Sequence, residues 1–162
     1  DVTYDGAGRL NIFLDGIYEY DATADNGYVY LDFLNPHDVY DKIVVIDAGH
    51  GGKMPGATRE GIMEKDIDLS ISNYLLDILK EDSRIGVYCT RNDDTNPSFA
   101  QRVEVANSVN ADLFLSIHNN AMTYSAYSYV TGTEVLFKSE NSGISGIFVI
   151  CFRVCKSFFS SC

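Results

Sequence analysis

Four β-branched residues in a row, Ile43 to Ile46, run without a polar interruption and stop at Ala48-Gly49-His50-Gly51-Gly52. A strand with one wet face would alternate apolar and polar residues, so this run marks a strand covered on both faces. Two-sided cover calls for helices, and the downstream sequence supplies them. The spacing predicts a helix from about Glu64 to Lys80, with Ile67, Ile71, Tyr74, Leu75, Ile78 and Leu79 on one stripe. An apolar strand follows at Ile85 to Cys89, then a helix from near Pro97 to Asn110, and a third strand at Leu113 to Ile117. Strands alternating with helices imply right-handed crossovers and a parallel sheet. The expected fold class is α/β, a mainly parallel twisted sheet flanked by helices.

The first forty residues have a different grammar. Leu10, Ile12 and Leu14 interleave with Asn11, Phe13 and Asp15, and the runs Tyr18 to Tyr20 and Tyr28 to Leu34 flank the turn-prone Asp25-Asn26-Gly27. This reads as an N-terminal β-hairpin segment with an aromatic face. His37, within Asn35-Pro36-His37-Asp38, sits in turn chemistry as a surface or capping residue. The divisions expected are a β segment over 1–40, a core over 41–140 and an atypical tail over 141–162.

At 162 residues the chain has room for one domain of ordinary size. Its formal net charge of −11 argues against nucleic acid or an anionic membrane surface as partner, because phosphates reward clustered Lys and Arg. The longest apolar stretch, Ile147 to Phe159, contains Arg153 and Lys156 and falls short of the roughly 20 residues a bilayer requires. No membrane insertion is expected, and a soluble monomer is. The chain opens at Asp1 without a basic and apolar leader, so any secretion signal is expected either to have been removed or never to have been part of this chain. Cys89, Cys151, Cys155 and Cys162 show no metal-ligand spacing and read as ordinary thiols.

In open parallel sheets, ligands bind beyond the carboxyl ends of the strands. His50 follows the first core strand, His118 follows the third, and Glu64 opens the helix that leaves the same edge. Two imidazoles and a carboxylate thus converge by topology, leaving a fourth tetrahedral position for water, as in hydrolytic zinc sites. Each of the three also has an ordinary reading, Glu64 as a helix-dipole residue and either histidine as a hydrogen-bonded loop residue.

A set of motifs narrows this. Ile46-Asp47-Ala48-Gly49-His50-Gly51-Gly52, Gly56-Ala57, Glu64-Lys65-Asp66, Thr90-Arg91, Arg102 with Ala106-Asn107, and Ser116-Ile117-His118-Asn119-Asn120-Ala121 together resemble the zinc-dependent N-acetylmuramoyl-L-alanine amidases of the amidase type 3 family, from about Lys42 to Glu134. The resemblance implies Zn²⁺ held by His50, Glu64 and His118, peptidoglycan as substrate, and a secreted, cell-wall or extracellular location. It makes Arg102 and Asn107 packing and bonding residues. Asn120, Tyr124 and Tyr127, with Tyr129, are expected at the rim of the site.

The family pattern ends in a late strand whose glutamate acts as general base. After Glu140 this sequence has no acidic residue, so Glu134 and Glu140 are the late carboxylates available as substitutes. For Glu134 the favoured reading is an exposed strand position. The expectation is a zinc-binding chain that cleaves peptidoglycan weakly; the alternative is an impaired peptidoglycan-binding or regulatory module that keeps the metal site.

Overall fold

The computed structural model describes residues 1–119, 132–137 and 147–153. Two small antiparallel pairs come first, β1 (Val2–Tyr4) with β2 (Leu10–Ile12) and β3 (Glu19–Asp25) with β4 (Tyr28–Leu34). The β3–β4 turn has positive φ at Asn26 (48°) and Gly27 (84°), the backbone that matches strand twist in a tight hairpin. A single helical turn, α1 (Pro36–Val39), leads into the main sheet, and His37 Nε2 lies 2.8 Å from the carbonyl oxygen of Asn110. That residue therefore ties the entry of the core to a distant loop.

The main sheet contains β5 (Lys42–Ala48), β8 (Ile85–Cys89), β9 (Leu113–His118), β10 (Gly132–Phe137) and β11 (Ile147–Arg153), in the order β10-β11-β9-β5-β8. β8, β5, β9 and β11 run parallel, and β10 lies antiparallel at the edge. A short ribbon, β6 (Thr58–Arg59) with β7 (Ile62–Met63), precedes α2 (Glu64–Leu79), and α3 (Phe99–Ser108) connects β8 to β9. The parallel sheet, its helices and the N-terminal hairpin are as the sequence patterning predicts. Residues 147–153, in the segment set apart as a tail, form a strand inside this sheet, between β9 and β10.

The path from β5 to β8 runs one way across the sheet, and the path from β8 to β9 runs back over β5. Right-handed crossovers in opposite directions place their helices on opposite faces, and the two halves of the core agree. Ile43 and Val45 pack with Val109 and with Val105 and Ala106 on the α3 side. Val44, Ile46 and Ile117 pack with Ile71, Leu75, Leu76 and Leu79 of α2. Successive residues of β5 thus serve opposite cores, as a period of two requires.

α2 departs from the expected stripe, since Tyr74 and Ile78 are exposed. The buried row is Glu64, Asp68 and Ser72 at intervals of four, flanked by Ile71, Leu75 and Leu79. Polar side chains occupy the inward row because the helix start faces the site, and the apolar contacts shift round to accommodate them. The amides of Glu64 and Lys65, which a helix leaves unpaired, donate to the carbonyls of Ala57 and Pro55 at 2.8 and 3.0 Å. α3 begins with a reciprocal capping box between Ser98 and Gln101.

Candidate metal centre

β5 ends where the chain needs backbone that side chains rarely allow. His50 has φ of 58°, Gly51 128° and Gly52 52°, so the chain turns sharply and delivers the His50 imidazole over the sheet edge. A left-handed histidine persists only where its surroundings fix it. α2 starts at the same edge with Glu64, and β9 ends there with His118.

The three groups meet. Glu64 Oε1 lies 3.2 Å from His50 Nε2 and 3.2 Å from His118 Nδ1, and the two rings stand edge-on with centroids 4.9 Å apart. The carboxylate is only 5 % exposed. Its Oε2 accepts from the amide of Ala57 at 2.7 Å and its Oε1 from that of Asn119 at 2.9 Å. Burial opposes its ionisation, but the contacts from His118, Ala57 and Asn119 outweigh burial and hold its pKa at about 2. The Glu64 contact is also the main cause that raises the pKa of His118.

A fourth group joins them that sequence reasoning had missed. Asp68, one turn after Glu64, is fully buried, and a ligand atom from each of His50, Glu64, Asp68 and His118 lies within 4.8 Å of the others. Its Oδ1 accepts from Asn119 Nδ2 at 2.7 Å, while Oδ2 has no hydrogen-bond partner among the described residues. Burial above all pushes this carboxyl up to about 7. The signal available in sequence was the interval of four from Glu64, which puts both carboxyls on one helix face.

The donor set fits a divalent metal. Ligand bonds of about 2.0–2.1 Å in a tetrahedron separate donor atoms by roughly 3.3–3.4 Å, close to the spacing around Glu64 Oε1. Two glycines keep the space open. A Cβ on Gly49 would come within 2.6 Å of His118 Nδ1 and 2.8 Å of Asp68 Oδ2, and one on Gly56 within 2.6 Å of Glu64 Oε2. An orphaned buried carboxylate oxygen beside two imidazoles is the remaining sign of a cation site.

Beneath the cluster lies a buried polar lattice. Asp47 accepts from Thr90 Oγ1 (2.6 Å) and Arg102 Nη1 (2.7 Å) on one oxygen and from Ser116 Oγ (2.6 Å) on the other. Arg102 also donates to the carbonyls of Ala48 (2.7 Å) and His50 (2.8 Å). Asn107 is exposed on α3. Glu134 stands half-buried in β10, in register with Cys151, which is itself in register with His118. Asn120, Tyr124, Tyr127, Tyr129 and Glu140 lie outside the described residues.

Fold and cluster together define an α/β protein with a metal-type site at the carboxyl edge of a parallel sheet. The chain belongs to the N-acetylmuramoyl-L-alanine amidase family, whose model matches residues 44–146. An uncharacterised Bacillus subtilis protein, YqiI, is 44% identical over 102 residues, covering 63% of this chain and 47% of that protein. The endolysin of Bacillus phage SPP1 is 42% identical over 93 residues, 55% of this chain and 34% of its own length. The chain therefore spans less than half of either relative. Among solved structures, the catalytic domain of CwlV, an N-acetylmuramoyl-L-alanine amidase from Bacillus (Paenibacillus) polymyxa var. colistinus, superposes with a TM-score of 0.61 at 27% identity, covering 67% of this chain and 78% of that one. An N-acetylmuramoyl-L-alanine amidase from Clostridium difficile 630 gives 0.57 at 34% identity, covering 62% and 54%.

Proposed function

We propose that this chain is a zinc-dependent peptidoglycan hydrolase, cutting the amide between the lactyl group of N-acetylmuramic acid and L-alanine. The observation that carries the reading is Glu64 Oε1 held 3.2 Å from both His50 Nε2 and His118 Nδ1 at the sheet edge. Family membership supplies the substrate class. The polymer lies outside the cytoplasm, so the proposed location is the cell wall or extracellular space, and the proposed working form is a monomer.

In this reading His50, Glu64 and His118 hold the ion. When bound, zinc lowers the pKa of water from 15.7 to about 7 and polarises the scissile carbonyl. The residues of the chain arrange the rest. Ala57 and Asn119 fix both oxygens of Glu64 by their amides, which keeps the carboxylate ionised and aimed. Asp68 holds Asn119, and so the backbone just after His118, from below. Glu134 is assigned the proton transfer to the departing amine. Its register with Cys151 and His118 sets its Cα two strand spacings from that of His118, roughly 10 Å. A positioned acid or base contributes about 10²–10⁴-fold.

Zinc content after exhaustive dialysis, compared between the parent and His118→Ala, tests the ligand set; equal zinc in both removes His118 from it. Release of new amino-terminal alanine from purified sacculi tests the reaction. A zinc-loaded parent that binds sacculi without releasing alanine is a binding module, not a hydrolase.

A further inference from the structure

We infer that Arg91 is a positioning residue for the proposed metal site, locking the segment that carries His50 to the segment that carries Glu64. The inference rests on the metal reading above. Arg91 comes two residues after the end of β8 and is 4 % exposed. Its Nε donates to the carbonyl of Ala48 at 2.9 Å and its Nη2 to those of Gly49 at 2.7 Å and Lys65 at 2.8 Å. Its Nη1 donates to the carbonyl of Asp93 at 2.9 Å. Ala48 and Gly49 immediately precede His50, and Lys65 immediately follows Glu64. One rigid plane thus spans two ligand-bearing segments that lie about fifteen residues apart in sequence.

The acceptors show what this side chain is for. Arg102 is neutralised by Asp47 at 2.7 Å, whereas all four hydrogen bonds of Arg91 among the described residues go to backbone carbonyls. Burying a guanidinium is costly, and an apolar side chain would fill the space at less cost. Carbonyl acceptors at fixed angles constrain the path of the backbone, and that path aims the ligands. The residues after Arg91 extend the brace. Asp94 accepts from the amide of Gly52 at 2.9 Å and from Lys65 Nζ at 2.6 Å, and Lys65 Nζ also donates to the carbonyl of Gly52 at 3.0 Å. The carbonyl oxygen of Thr95 lies so near Gly51 that a Cβ there would be 2.0 Å from it. Residues 91–95 therefore serve as a template for the turn that presents His50.

Lysine keeps the charge but not the fork, so Arg91→Lys isolates the geometry. Zinc affinity would be measured by competition with a chromophoric chelator for the parent, Arg91→Lys, Arg91→Gln and the exposed control Arg84→Lys. The metal-free fold of each would be checked by circular dichroism, and the cobalt-substituted proteins by their visible spectra. The expected result is that both Arg91 variants fold without metal but bind zinc about 10–100-fold more weakly. Their saturated cobalt spectra should differ from the parent's, and Arg84→Lys should match the parent throughout. Parent-like zinc affinity in Arg91→Lys with an unchanged cobalt spectrum overturns the inference alone. If both Arg91 variants fail to fold, Arg91 belongs to the core rather than to the site and the inference falls. A parent that takes up no zinc overturns the metal reading and this inference with it.

Discussion

β4 and β5 are both seven residues long, and their surroundings are opposite. Every residue of β4 is exposed, while only Lys42 of β5 is. In the ribbon, Tyr20 pairs with Phe33, Ala22 with Leu31 and Ala24 with Val29, so one face is wholly apolar. The other face sets Asp21 directly against Asp32, a like-charge pair that opposes the hairpin. A turn and cross-strand pairs hold this ribbon together. β5 is fixed from both faces and from its end, where Asp47 joins three elements and the glycine turn begins. Equal length and equal secondary structure therefore carry unequal constraint, and changes in the two regions should separate by size.

The largest effect is expected at Asp47. Asp47→Ala leaves Arg102 buried without its carboxylate and removes the acceptor of Thr90 and Ser116. Urea unfolding should show a loss of about 3–5 kcal/mol. A loss no larger than that of a ribbon variant would break the comparison.

Next comes a pH effect at Asp68. Its folded pKa, about 7, lies above the ordinary 3.8 because it is buried. A raised carboxyl contributes stability that is full below the unfolded pKa and is lost as pH rises through the folded one. Metal-free Asp68→Asn should therefore gain on the parent as pH rises from about 4 through about 7, by up to about 4 kcal/mol. Glu64, held at about 2, has the opposite sign, and its contribution disappears as pH falls from its ordinary 4.5 toward 2. Parallel denaturation curves for parent and Asp68→Asn across that range would contradict the Asp68 assignment.

Glycine substitution sharpens the contrast at smaller scale. Gly51→Val places a Cβ on the carbonyl of Thr95 at a φ of 128°, so thermal unfolding and zinc uptake should both suffer, with about 2–3 kcal/mol lost. Gly27→Val meets nothing within 4 Å and bears only the strain of its φ, about 1–2 kcal/mol, with zinc uptake intact. The smallest change is Asp32→Lys, which turns the like-charge pair into an attractive one. It should raise the melting temperature modestly, by about 0.2–1 kcal/mol of stability, and leave metal binding unchanged.

The site was legible in sequence to the extent that it follows from strand ends. His50, Glu64 and His118 could be brought together because a parallel sheet sends every strand–helix junction to one edge. Asp68 was not found, because a polar residue inside a helix reads as solvated until the sheet is seen to cover it. Arg91 appeared only as part of a motif, since partners that are all backbone carbonyls leave no trace in residue type or spacing. Tyr74 and Ile78 were misplaced because periodicity marks apolar positions and cannot show that polar ones hold the inward row. Residues 147–153 read as a charge-poor tail, and their place beside β9 depends on pairing across a long stretch of chain.

That placement has a bearing on how the protein emerges from the ribosome. Ile147 pairs with Phe114, so β9 must wait for roughly thirty further residues before its second neighbour exists. At about 5–20 residues per second, the wait is on the order of 2–7 s. β10 is made before β11 yet lies outside it, so it has nowhere to dock until its successor arrives. Translation thus completes β8, β5 and β9 first and leaves β9, whose last residue is His118, as a temporary margin. The proposed metal ligands are all synthesised before the sheet that supports them is closed.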